Sequence, residues 1–286
     1  MYMRFETSIH DYQQLVEPML LKKEACNNLM LGILNRLQHD DFEKEKGYYL
    51  GVAEVYDTAV YAFMQTPPNN WILADVDTID ADTLQQVARF IYKSGVDISG
   101  VIGPPDKAKV FINELASLGD METIVHMEQF IYQLNRVNPI PVTAGYLTEA
   151  ARNDHQLVKN WLIQFGMEAN EQISAEHADL LAQSFVDKRS IYLWKVDNKP
   201  VSMVNQSRRT KNGTTINAVF TPDEYKRNGY ATAAVARLSE KLLQDGNKFC
   251  SLYTDAANPS SNSIYKKIGY DKVGSSIVYK LRPKKQ

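Results

Sequence analysis

The chain has 286 residues, 44% hydrophobic and 23% charged, enough material for two ordinary globular cores. A net charge of −2 and a pI near 6.2 provide no general attraction for nucleic acid or an anionic membrane, so neither is expected as a partner. Two distant cysteines, Cys26 and Cys250, and five scattered histidines argue against a disulfide framework or a metal site. They read as buried small residues and surface groups, and the lack of a signal-like or membrane-length apolar run points to a cytoplasmic protein.

In chain order, the apolar run 26–34 predicts a core helix, with Asn27 and Asn28 on it. Strands are expected at 50–55 and 59–64, joined by a turn at Asp57-Thr58, then a strand at 71–75, a helix at 83–93 and a strand at 98–102. Pro139 and Pro141 resist both helix and central strand, which places a linker at 137–142 between domains at 1–136 and 143–286. Beyond it the pattern gives a strand at 145–150, helices at 151–165 and 174–187, and strands at 191–196, 200–206 and 214–220. Asp197-Asn198 and Asn212-Gly213 are the hairpin signals. Ala231, Ala234, Val235, Leu238 and Leu242 then mark one face of a long helix. A strand at 248–254, a helix at 260–268 and two closing strands within 270–281 complete the series. The order of elements in the second half repeats that of the first, the mark of a duplicated architecture.

The chemistry concentrates between the strand at 214–220 and the long helix. There Lys226-Arg227-Asn228-Gly229-Tyr230-Ala231 sets a glycine where a helix begins, so backbone amides can approach an anion while the helix dipole favours negative charge. Farther on, Asn258, Ser261, Tyr265, Gly269 and Tyr270 form a second pattern. The corresponding helix start in the first half is ringed by Asp75, Asp77, Asp80 and Asp82, which suit a helix N-terminus and repel a pyrophosphate.

These two motifs, in this order, resemble those of the GCN5-related N-acetyltransferases, the GNAT superfamily. The first family motif is Arg or Gln, two residues, Gly, one residue, Gly or Ala; Lys226 stands in place of the usual Arg or Gln, followed by Gly229 and Ala231. The second, Asn-x-x-Ala/Ser-x-x-x-Tyr-x-x-x-Gly-Phe/Tyr, is matched throughout. The resemblance implies an α/β fold of two GNAT-like domains, each a central mixed, mostly antiparallel sheet flanked by helices. The N-terminal copy is diverged and non-catalytic, and forms one wall of an acceptor cleft. Acetyl-coenzyme A is the implied co-substrate, without a metal. The backbone of Val219, Phe220 and Thr221 would hold the pantetheine arm and thioester in a strand splayed from its neighbour. Lys226, Arg227, Asn228, Gly229, Tyr230, Ala231 and Thr232 would seat the pyrophosphate, and Asn258, Ser261 and Tyr265 would make further cofactor contacts.

Tyr265 is the expected catalytic residue. A phenol of pKa about 10 is protonated at neutral pH and can supply a proton to a departing thiolate of pKa about 8.5. The amine acceptor must itself be deprotonated, and no base is nominated among Glu149, Glu168, Glu171, Asp223, Glu224 and Asp255; a water relay is favoured. The function implied is acetyl transfer to a primary amine of an acceptor the sequence does not identify, by a monomer or weak homodimer. The alternative, left open by the missing base, is a non-catalytic acyl-coenzyme A binding or sensing protein.

Overall fold

The computed structural model describes residues 1–39, 47–169 and 171–284. Its elements run β1 (Tyr2–Glu6), α1 (Ile9–Leu20), α2 (Asn28–His39), β2 (Tyr49–Val55), β3 (Thr58–Gln65), β4 (Trp71–Leu73), α3 (Ala81–Lys93), β5 (Gly100–Gly103), α4 (Pro105–Gly119) and β6 (Met121–Leu134). The series then repeats with β7 (Tyr146–Glu149), α5 (His155–Glu168), α6 (Ala175–Asp187), β8 (Ile191–Val196), β9 (Lys199–Arg209), β10 (Gly213–Phe220), α7 (Tyr230–Gln244), β11 (Phe249–Asp255), α8 (Pro259–Ile268) and β12 (Asp271–Pro283). Element for element the halves match: strand, two helices, three strands, helix, strand, helix, strand.

Local chemistry explains the correspondence. Both first hairpins close on two consecutive residues with positive φ, Tyr56-Asp57 and Asp197-Asn198, the turn that matches strand twist. Each hairpin carries a register shift a few residues before its turn, between Ala53 and Glu54 and between Trp194 and Lys195. Helices α3 and α6 start on side-chain caps, Asp80 accepting from the Thr83 amide and Ser174 from the His177 amide.

Two compact units result, and the division is not a single cut. One comprises Met1–Ile131, Arg209–Lys211 and Val273–Gln286; the other comprises Tyr132–Arg208 and Asn212–Lys272. In the first, the strand order is β1-β2-β3-β4-β5-β12-β6, with β4 parallel to β5 and the pairs β1–β2, β2–β3, β3–β4 and β5–β12 antiparallel. The last strand of the chain thus completes the sheet of the first unit, pairing Ile277–Lys280 against Gly100–Gly103. In the second, the order is β11-β10-β9-β8-β7, with β10 parallel to β11 and β7, β8 and β9 antiparallel. Each unit has its own core. Tyr12, Phe63, Trp71, Val87 and Phe111 are buried in the first, Val158, Trp161, Leu193, Met203 and Phe220 in the second.

Two expectations differ from what the fold shows. The closing segment is one strand, β12, and not two. Gly274 lies inside it, where a Cβ would stand 2.7 Å from the Cys26 sulfur; the glycine serves a close approach. Cys26 is correspondingly half-buried, whereas Cys250 is fully buried.

Candidate functional site

Strand β10 is the axis of the site. It pairs with β11 in parallel at Gly213–Thr215 against Phe249–Ser251, and the register ends there although both strands continue. At Ala218 the backbone turns to φ +46, a conformation an L-residue rarely adopts, which marks a bulge that re-aims the peptide groups after it. Phe220 is buried with its ring 6.1 Å from that of Trp161, and its carbonyl accepts from the Ser202 hydroxyl at 2.9 Å. The Thr221 hydroxyl donates to that of Ser202 at 2.8 Å. These side chains anchor the end of the strand, so what residues 218–221 can offer a ligand is main chain, together with the half-buried Val219.

After Pro222 the chain makes a short 3₁₀ turn, Asp223–Tyr225, and then passes through Arg227 (φ +65) and Gly229 (φ +80) into α7. The Asn228 amide staples the turn from inside, donating to the carbonyls of Tyr225 and Lys226 at 3.1 and 3.2 Å. Helix α7 differs from α3 and α6. It has no side-chain cap and no acidic residue in its first turn, so the leading amides at Tyr230, Ala231 and Thr232 face outward without an internal acceptor. Such an end is a seat for an anion.

The lysine of the loop is engaged elsewhere. Lys226 Nζ stands 2.7 Å from Asp223 and 2.6 Å from Glu168 at the end of α5, and these carboxylates, Asp223 first, raise its pKa. It braces the loop and offsets one of the two carboxylate charges beside the seat. Arg227 is exposed. Glu168, weighed in the sequence only as a base, is here a partner of the loop lysine, and one neighbour had no sequence signal: Thr143, whose hydroxyl oxygen would lie 3.3 Å from a Cβ added to Gly229.

Asn258 caps α8, its side-chain oxygen accepting from the Ser261 amide at 3.0 Å. Both residues of that pattern therefore have a structural duty at the helix start. One turn further in, buried Asn262 donates to the carbonyls of Asp255 and Asn258 at 3.1 and 2.7 Å, while its own oxygen lacks a partner. Tyr265 projects into a tyrosine cluster, 6.2 Å from the ring of Tyr132 and 6.0 Å from that of Tyr270. Burial pushes its phenol up to about 12. Of the carboxylates considered as a base, Glu149 pairs with Arg189 at 3.1 Å, Glu168 and Asp223 with Lys226, and Asp255 accepts from the Ala257 amide at 2.8 Å; Glu171 and Glu224 are exposed. Among the described residues no group of three His, Cys, Asp or Glu side chains could hold a metal ion.

The matching region of the first unit is built differently. A Cβ on Gly103 of β5 would meet Leu73 of β4 at 2.8 Å, so these strands stay closed together. Beyond them Asp75 is held by Lys23 at 3.2 Å and buried Lys107 at 3.7 Å, and its amide donates to Asn27 Oδ1 at 2.7 Å. The first turn of α3 is capped by Asp80 and carries Asp82. A filled ionic cluster and a capped helix stand where the second unit has a splayed strand and an open helix end.

Residues 195–278 match the family of FR47-like proteins. No curated protein matches the chain. Among solved structures, a GNAT-family acetyltransferase from Colwellia psychrerythraea is 11% identical with a TM-score of 0.60, over 98% of this chain and 99% of the other. A GCN5-related N-acetyltransferase from Sphaerobacter thermophilus is 10% identical with a TM-score of 0.65, over 97% and 94%. A tandem GNAT protein from the clavulanic acid biosynthesis pathway is 11% identical with a TM-score of 0.57, over 98% of each chain. At this identity the structures establish the fold, which is that of two GNAT domains in one chain. The FR47-like match falls within the second half of the chain.

Proposed function

We propose that the protein is an acetyl-coenzyme A-dependent N-acetyltransferase whose second unit is catalytic and whose first unit is not. Acyl-coenzyme A-dependent acetyl transfer in general is supported by the fold and the family match. The observation that carries the finer reading is the contrast between the units: among the described residues, the second joins a splayed, bulged strand to an uncapped helix start, where the matching region of the first has closed strands and a capped helix. Backbone amides past the bulge at Ala218 would hold the thioester oxygen, where donors fixed in advance favour the charge that develops on it. The amides at Gly229–Thr232, with Arg227, would take the pyrophosphate. Tyr265 would protonate the departing thiolate. Its raised pKa makes full transfer uphill by about 1.4 kcal/mol per unit of mismatch, so the proton moves late, as the C–S bond breaks. The acceptor amine would lose its proton to water, since the candidate carboxylates are ion-paired, hydrogen-bonded or exposed.

Calorimetric titration with acetyl-coenzyme A tests this. One equivalent is expected for the wild type and no measurable binding for Gly229→Val, while Gly229→Asn, which tolerates the left-handed backbone, should retain the fold. Two equivalents would return the first unit to the reaction, and none would remove the reading. The sensor reading rests on the missing base; one equivalent bound with no thiol release across a broad amine panel would favour it.

A further inference from the structure

Strand β10 carries a polar thread that the reaction outlined above does not use. The Ser190 hydroxyl, 3.3 Å from the Phe185 carbonyl, donates at 2.8 Å to the side-chain oxygen of Asn205. The Asn205 amide nitrogen in turn donates at 2.8 Å to the side-chain oxygen of Asn217. Asn205 is fully buried, two residues along β9 from core residue Met203. A polar amide in such a place needs partners, and an aliphatic residue would fill it without that requirement. What the thread achieves is to fix Asn217, occupying one lone pair of its oxygen and leaving its nitrogen without a partner among the described residues. Asn217 is partly exposed, precedes the bulged Ala218, and lies beyond the last pair that β10 makes with β11. A rigid pair of N–H donors therefore stands in the opened part of the strand.

Resting on the acetyltransferase reading, we propose that Asn217 recognises the acceptor, which is an amine bearing a carbonyl or carboxylate oxygen a few bonds from its nitrogen. An amino acid or aminoacyl amide fits; a plain alkylamine or polyamine does not. Two N–H groups complement an oxygen and offer nothing to an ammonium or a methylene chain. A site built to donate also discriminates against a substrate lacking the acceptor atom, because the donors, closed off from water by the bound substrate, then go unpaired. Ser190 and Asn205 are positioning residues in this scheme.

The test uses the full-length protein, acetyl-coenzyme A and thiol release, with rates corrected for each amine's unprotonated fraction. Aminoacyl amides and amino acids form one set of acceptors, simple alkylamines and diamines the other. A preference of at least tenfold in kcat/KM for the first set is expected. Asn217→Ala should remove that preference, chiefly through KM. Ser190→Ala should weaken it in the same direction, and Asn217→Asp, which replaces donors with acceptors, should invert it. Equal kcat/KM for the two sets overturns the proposal, as does a loss in Asn217→Ala that leaves the gap between sets intact. Turnover of the alkylamines without turnover of the carbonyl-bearing set overturns it alone; failure to bind acetyl-coenzyme A, or binding without turnover of any amine, removes the parent reading as well.

Discussion

Tyr265 sits among Tyr132 and Tyr270, and Tyr270 in turn shares a hydrogen bond of 2.9 Å with Ser239. Burial disfavours the phenolate, so Tyr265 stays protonated until the pH approaches 12. Its folded pKa lies above the unfolded value near 10, so its contribution to stability is whole below pH 10 and is lost as the pH rises toward 12. Tyr265→Phe should lower kcat about a hundredfold with acetyl-coenzyme A affinity unchanged; unaltered turnover removes the acid role. In the wild type, no break in the pH–rate profile below pH 10 should vanish in that variant. A break that does vanish would mean the phenol titrates far lower than its burial dictates. The motif made this residue legible, because its spacing is local. Asn217 stands in no such motif: its significance comes from Asn205 and Ser190, which no sequence pattern links to it.

At the scale of elements, the start of α8 was readable because an Asn before Pro at the head of a helix is a chemical signature of a cap. Asn258→Ala should cost about 1 kcal/mol, and since the effect is local, a drop of about 2–4 °C in Tm by scanning calorimetry is expected. A Tm unchanged within error, with a large loss of cofactor affinity, would show that the side chain works for the ligand and not for the helix. The bulge in β10 was not readable. Ala218 has no turn chemistry, and its positive φ is imposed by the neighbouring strands and core. Gly274 inside β12 was unreadable for a different reason, since a glycine that lets a sulfur come close looks, in sequence, like a glycine that turns.

For the whole molecule, the repeated order of elements was legible because hydrophobic period and turn residues recur in both halves, whereas the destination of the last strand was not. Pairing between β12 and β5 depends on partners far apart in the chain, which local propensity does not encode. Ending the protein after Lys272 should therefore injure the unit at the opposite end of the sequence. Amide hydrogen exchange should show β4, β5 and α3 losing protection while β8 and β9 keep theirs. Equal loss in both units, or loss confined to β8 and β9, would contradict that assignment.

The same strand fixes an order of events during synthesis. When β5 leaves the ribosome, the segment that will cover its edge has not yet been translated, so the first unit waits with an open strand edge while the second is made. An apparently independent N-terminal half is thereby finished last, and its maturation depends on the chain having been read through to β12.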